Sequence, residues 1–164
     1  MMEKTKKSPE KARPSARSKA LDIVARRRST GEEVGKKLAK AGYTKEESQD
    51  AVSYLISLGY IDDALLARDL AAGLLEKRGW GPAKVAASLM RRGIERNDAA
   101  RTVKEASLSV DLVEGARAAL RKRYGASMPA VGDREWAKKA AGYLFRQGFG
   151  YEIARVALRN LGDD

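Results

Sequence analysis

Apolar side chains in this chain recur every three to four residues, and glycines interrupt the rhythm. The stretch from Tyr60 to Ile94 states the pattern most clearly. Leu66, Leu70 and Leu74, with Leu65, Ala67 and Ala71 beside them, form the stripe of an amphipathic helix. That helix begins at Asp62 or Asp63, either of which can accept from free first-turn amides, and it ends at Gly79. Gly81-Pro82 opens the next helix, with proline at the first position, where its missing N–H costs nothing. Trp80 is placed to close over Val85 as a hydrophobic staple. Val85 and Leu89 carry the stripe to Gly93, a left-handed stop.

The same pattern occurs three times. Aligned on Gly42, Gly93 and Gly148, the residue eight before is Val34, Val85 or Ala140, and four before it is Leu38, Leu89 or Leu144. The residue after each glycine is Tyr43, Ile94 or Phe149. Six after come Ser48, Ala99 and Ala154, and ten after come Val52, Val103 and Leu158, without a gap. Each copy also has a preceding helix. The first begins near Ser18, has Ala20, Leu21, Val24 and Ala25 on one side and ends at Arg26-Arg27-Arg28; the third runs from Leu112 to Tyr124.

Two overlapping capping boxes, Ser29 with Glu32 and Thr30 with Glu33, compete to start the second helix, and Thr44 with Glu47 starts the third, which carries Ala51, Val52, Leu55 and Leu58 to Gly59. Asp133 caps the helix after a longer link, Gly125–Asp133 with Pro129 inside, which predicts a flexible joint.

The fold class is therefore all-α: three tandem three-helix repeats stacked into an elongated, curved array. The predicted divisions are a disordered basic arm over 1–17, then repeats over 18–59, 60–106 and 107–164. Because one such unit cannot bury its apolar face alone, neighbours are expected to stack into a curved array.

Composition narrows the function. At 164 residues the chain can bury a real core, and no run approaches the ~18–20 apolar residues of a membrane span. It has no cysteine and no histidine. That excludes disulfides, Ser-His triads, cysteine nucleophiles and ordinary zinc sites, and it fits a cytoplasmic protein that is not an enzyme and needs no cofactor or metal. Asp62 and Asp63 are adjacent carboxylates, but consecutive helical residues point ~100° apart, so helix capping explains them better than catalysis. Gly79-Trp80-Gly81-Pro82 lacks the lysine of a phosphate loop.

The formal net charge is +11. Residues 1–19 hold seven basic and two acidic side chains, +5 of that total, so the body keeps +6 without the arm. A polyanion is the partner this balance suggests. The candidate binding residues are Arg26, Arg27 and Arg28; Lys36, Lys37 and Lys40; Arg91 and Arg92; Arg121, Lys122 and Arg123; and Lys138, Lys139 and Arg146. Any one of these cations in a last helical turn also complements the helix dipole, at ~0.3–1 kcal/mol. Five clusters along stacked units suggest a stripe. Trp80, Trp136 and the tyrosines can stack on bases, though core and staple roles explain them better; Tyr124 and Tyr143 are the ones whose exposure decides the matter.

The run GYIDDALLARDLAAGLLEKRGWGPAKVAASLMRRGI (Gly59–Ile94) resembles the middle of the RecX family of bacterial recombination regulators. ALDIVARRRSTGEEVGKKLAKAG (Ala20–Gly42) and YLFRQGFGYEIARVAL (Tyr143–Leu158) resemble its flanks, and the likeness extends from about Lys19 to Leu161. The resemblance implies a non-enzymatic modulator that binds the RecA recombinase filament on single-stranded DNA, and the net charge favours a monomer. Such a protein limits filament growth, ATP hydrolysis, strand exchange and co-protease activity, and so acts in DNA repair, recombination and the SOS response. Single-stranded DNA would be met directly or through RecA, with no membrane involved. The competing reading is a helix-turn-helix-like DNA-binding protein, since each helix–glycine–helix pair has that outline.

Overall fold

The computed structural model describes residues 13–125 and 133–159. They form nine helices: α1 (Ala16–Arg26), α2 (Gly31–Lys40), α3 (Lys45–Ser57), α4 (Asp63–Glu76), α5 (Pro82–Arg91), α6 (Arg96–Ser107), α7 (Leu112–Tyr124), α8 (Arg134–Arg146) and α9 (Tyr151–Arg159). No strand occurs among the described residues.

Helices pack in threes: α1 and α2 with α3, α4 and α5 with α6, and α7 and α8 with α9. Each set surrounds its own core. The first is built on Leu38 and Leu55, the second on Leu75 and Leu89, the third on Leu120 and Leu144. The leucines four before the stop glycines, Leu38, Leu89 and Leu144, have no exposed surface. Six positions after the glycine, the small residues Ser48, Ala99 and Ala154 are buried. Three positions later Ala51 and Ala157 are fully buried, while Val52 and Leu158, one step on, lie only half-buried.

The glycine stops work as the pattern predicts. Gly42, Gly93 and Gly148 adopt φ of 84°, 90° and 89°, where only glycine avoids a Cβ clash. In each copy the next N–H reaches back to the core leucine's carbonyl: Tyr43 to Leu38 (3.2 Å), Ile94 to Leu89 (3.2 Å) and Phe149 to Leu144 (3.1 Å). This six-to-one bond turns the large residue after the glycine inward, and all three are buried.

Helix starts follow the sequence signals. Thr30 with Glu33, not Ser29 with Glu32, forms the reciprocal box on α2, and Thr44 with Glu47 forms the one on α3. Asp62 caps α4 through the Leu65 N–H, and Asp133 caps α8 through that of Trp136. Trp80 packs against the second core, which contains Val85.

Two expectations change. On α1, Ala20 and Ile23 point inward with Val24 beside them, whereas Leu21 and Ala25 are exposed, as Leu65 is on α4. Each unit has its own core, yet apolar contact also crosses between units: Ile61, just before α4, is buried in the first core, and Leu112 of α7 packs on the second. The ordered chain also starts earlier. Ser15 caps α1 through the Ser18 N–H, Arg17 pairs with Asp50 through Nε (2.8 Å) and Nη2 (3.0 Å), and Tyr43 donates its hydroxyl to the Pro14 carbonyl. Residues 13–17 thus belong to the folded body. The rest of the basic arm, and residues 126–132 of the expected joint, lie outside the described residues.

The truncation Leu89→Ala removes a fully buried side chain beneath the middle glycine stop. It should cost ~2–5 kcal/mol in a denaturant titration; a loss under 1 kcal/mol would mean that the site collapses freely.

Candidate partner-binding surface and the junctions beneath it

The second helices of the three units are chained end to end. The N-terminus of α2 meets the C-terminus of α5, and that of α5 meets the C-terminus of α8. Opposite ends of helix dipoles face each other at both places, which is favourable. The same repeat positions make both contacts. Thr30 and Gly81, each twelve before its stop glycine, donate to the carbonyls of Arg92 and Gln147, each one before the next stop glycine.

The chemistry of the two junctions differs. At the first, the Thr30 hydroxyl donates to the Arg92 carbonyl (2.6 Å) while accepting from the Glu33 N–H. The Arg92 guanidinium donates through Nε (2.9 Å) and Nη2 (2.8 Å) to both Glu33 oxygens, and Nη2 also reaches the Arg28 carbonyl. Asp63 accepts from the Gly31 N–H (3.0 Å), and Arg28 pairs with Asp69 at 2.5 Å. At the second junction the backbones meet directly: Gly81 N–H to the Gln147 carbonyl (2.7 Å) and Ala83 N–H to that of Gly148 (3.1 Å). Lys84 donates to the Gln147 side chain (2.7 Å), in the positions that Glu33 and Arg92 hold at the first. A Cβ on Gly81 would lie 2.2 Å from the Gly148 carbonyl carbon, so no side chain fits there.

The free end of α2 is closed by Arg13. Its guanidinium donates to the Ala41 (2.8 Å) and Gly42 (3.1 Å) carbonyls and lies 3.6 Å from the centre of the Tyr43 ring. These are the two carbonyls whose counterparts in the third unit take the Gly81 and Ala83 amides. Arg13 therefore does for the first unit what a preceding helix would do.

Charge at the first junction shifts two carboxyls in opposite directions. The Arg92 guanidinium, helped by the Thr30 N–H and by Arg27, holds Glu33 below the usual carboxylate range against the opposing effect of burial. Burial pushes Asp63 up, against the Gly31 hydrogen bond.

The fourteen sequence-predicted basic residues divide into two groups. Arg27 pairs with Glu33, Arg28 with Asp69, Lys36 with Glu32, Arg92 with Glu33 and Arg121 with Glu114. Arg92 is part of the scaffold, with its side chain only 21% exposed. The other nine, Arg26, Lys37, Lys40, Arg91, Lys122, Arg123, Lys138, Lys139 and Arg146, are exposed and make no ion pair among the described residues. Lys40, Arg91 and Arg146 share one register, two before each stop glycine, so this surface offers one unpaired cation per unit at a fixed place. Of the contacts that sequence reasoning missed, those of Glu33, Lys84 and Gln147 had a signal available: both side-chain pairs stand nine before one stop glycine and one before the next, a register that Arg13 does not share.

The aromatics lean toward structure. Tyr124 meets Trp136 (5.8 Å) and Tyr143 (6.0 Å) edge to face, and all three pack on the third core. Lys84 lies 4.3 Å from the centre of the Trp80 ring. No group of three or more carboxylates placed to hold a metal occurs among the described residues.

The Glu33 shift fixes a sign. A carboxyl whose folded pKa is depressed contributes stability above its unfolded pKa and loses it as pH falls through the folded value. Asp63 works the other way. Arg92→Ala should therefore cost about 1–3 kcal/mol at neutral pH, and the difference from wild type should shrink as pH falls below the ordinary glutamate range. Thermal unfolding of both proteins across that range checks this; a pH-independent difference would remove Glu33 from the account.

Comparison with known proteins agrees with this architecture. Residues 62–103 match the family model described as RecX, second three-helix domain. The chain is 31% identical over 153 residues to a regulatory protein RecX of Halorhodospira halophila, covering 93% of this chain and 92% of that one. It is 33% identical over 159 residues to one from Stenotrophomonas maltophilia, covering 97% and 93%. The crystal structure of RecX from Lactobacillus salivarius superimposes with a TM-score of 0.72 at 22% identity, over 89% of this chain and 94% of that one, which carries the likeness in fold. Near-full-length identity above 30% to the Halorhodospira and Stenotrophomonas proteins, with the match over residues 62–103, shows that the chain belongs to the RecX family of regulatory proteins.

Proposed function

We propose that this protein binds the RecA recombinase filament on single-stranded DNA and restrains its growth, ATP hydrolysis and recombination activity without catalysing a reaction itself. The observation that carries this reading is near-full-length similarity to regulatory proteins RecX. The unpaired cation repeated once per unit supports it, since a periodic basic array suits a periodic nucleoprotein. Single-stranded DNA is met directly by these cations or through RecA. The histidine- and cysteine-free composition is in keeping with a binding role in the cytoplasm. A helix-turn-helix-like DNA-binding protein would instead select particular duplex sequences at physiological salt.

Steady-state ATP hydrolysis by preformed RecA filaments, with this protein added well below the RecA concentration, tests the proposal. Loss of hydrolysis at substoichiometric protein is the expected result, and no loss at any ratio overturns it. Reversing Lys40, Arg91 and Arg146 together to glutamate should weaken the inhibition. If the cations touch DNA directly, it should also lower the salt dependence of single-strand binding by about 2 in log–log slope, three contacts at ~0.7 each. Arg92 stays in place in this variant, because it holds the first junction.

A further inference from the structure

The outer face of the first unit carries a groove that adjoins the first junction at one end, through Gly31. It lies between α2 and α3, encloses about 640 Å³, and is lined by Gly35, Ala39, Ser48 and Val52, with Lys45 among them. Ser48 is 6% exposed, and its hydroxyl is buried without any hydrogen-bond partner. A hydroxyl left so costs about 1–3 kcal/mol, which a bound group with a donor or acceptor would recover. Ile56, one turn beyond Val52 on α3, is 53% exposed and prolongs the apolar stripe.

The third unit has the same groove in the same register, enclosing about 320 Å³. Seven before the stop glycine, Ala141 replaces Gly35, and three before it Phe145 replaces Ala39. Six after, Ala154 replaces Ser48, and ten after, Leu158 replaces Val52. Phe145 and Tyr151 remain 48% and 67% exposed there.

Each groove is lined by one cation without an ion-pair partner among the described residues, Lys45 in the first unit and Arg159 in the third. The remaining lining charges, Glu32 and Arg155, are already held by Lys36 and Glu152. Small residues along two packed helices, an apolar stripe and unmatched cations together suit a helix with bulky apolar residues on one face and carboxylates at its margins.

We propose that the α2–α3 groove and its α8–α9 counterpart are docking sites for an acidic amphipathic helix of a partner protein, presented twice along one array. This rests on the filament reading: two like grooves separated by one unit suit a partner whose identical subunits repeat.

The test uses Ala39→Glu and Phe145→Glu, both at exposed positions, singly and combined, with melting curves to establish folding. Binding is measured to RecA filaments assembled on single-stranded DNA with a non-hydrolysable ATP analogue, and separately to the bare DNA. Each single change should weaken filament binding about tenfold, the equivalent of ~1.4 kcal/mol, and the pair more, with bare-DNA binding changed less than about twofold. A photocrosslinking residue in place of exposed Gln49, which lines the first groove, should label the protein partner and not the DNA; this arm holds even if a glutamate variant misfolds. Undiminished filament binding by the double variant overturns the docking assignment. Parallel losses on filament and bare DNA overturn it too, and would make Phe145 and Tyr151 a base-stacking surface. If the wild-type protein does not bind filaments at all, the filament reading itself fails, and the partner named here fails with it.

Discussion

The last carbonyls of each second helix are the acceptors on which this architecture depends. A helix leaves four such groups unpaired at its C-terminus. The glycine stop settles one by turning the next N–H back onto the core leucine. The carbonyls at the stop glycine and the residue before it are left facing outward, and at each end of the chain of second helices they meet a donor from elsewhere. In the third unit these are the Gly81 and Ala83 amides, and in the first they are the two Nη groups of Arg13. The local device that ends a helix thus also fixes where the neighbouring unit attaches. Directional hydrogen bonds at these helix ends hold three small cores in series, beside apolar contacts such as that of Leu112 with the second core.

The two junctions solve one geometric problem with different chemistry. At the second, glycine at both facing positions lets backbone meet backbone, and a bond between uncharged groups responds little to salt or pH. At the first, a threonine hydroxyl spans the larger gap, and the Glu33–Arg92 pair stands where Lys84 and Gln147 stand in the other. With both side chains about one-fifth exposed, that pair is partly shielded from solvent and depends on the ionisation of Glu33. The array therefore has one junction that is sterically locked and one that is electrostatically held. Its first unit is the one whose attachment conditions can tune.

Most of the fold was legible because its signals are local. Glycine after a 3.6-residue stripe, Thr-x-x-Glu at helix starts and proline at a first helical position each act within a turn or two, and all were found in place. The errors came where local rules stop. Leu21 and Leu65 match their helices' apolar spacing, yet face solvent, because a core of this size takes alanines where two helices approach closely. The stacking of repeats was legible too, but not how completely three short helices cover one another, so that each unit has a core of its own. In the candidate site, the basic residues could be counted but not sorted. Arg92 and Arg91 are adjacent in sequence, yet one is fixed in a junction and the other is exposed and unpaired.

That sorting follows a physical division of labour. A long basic side chain beside a carboxylate from a neighbouring unit loses its freedom in return for a fixed geometry, and it is then a poor candidate for meeting an external anion. Cations placed two before the stop glycine avoid this fate, since that position points away from both the core leucine and the junction carbonyls. Their nearest favourable interaction is the helix dipole, at ~0.3–1 kcal/mol, which leaves the charge available to a second partner. The repeat thus confines the charges that build the array to one set of positions and leaves another set unpaired. A basic array assembled in this way can carry binding charge along its length without weakening the contacts that hold it together.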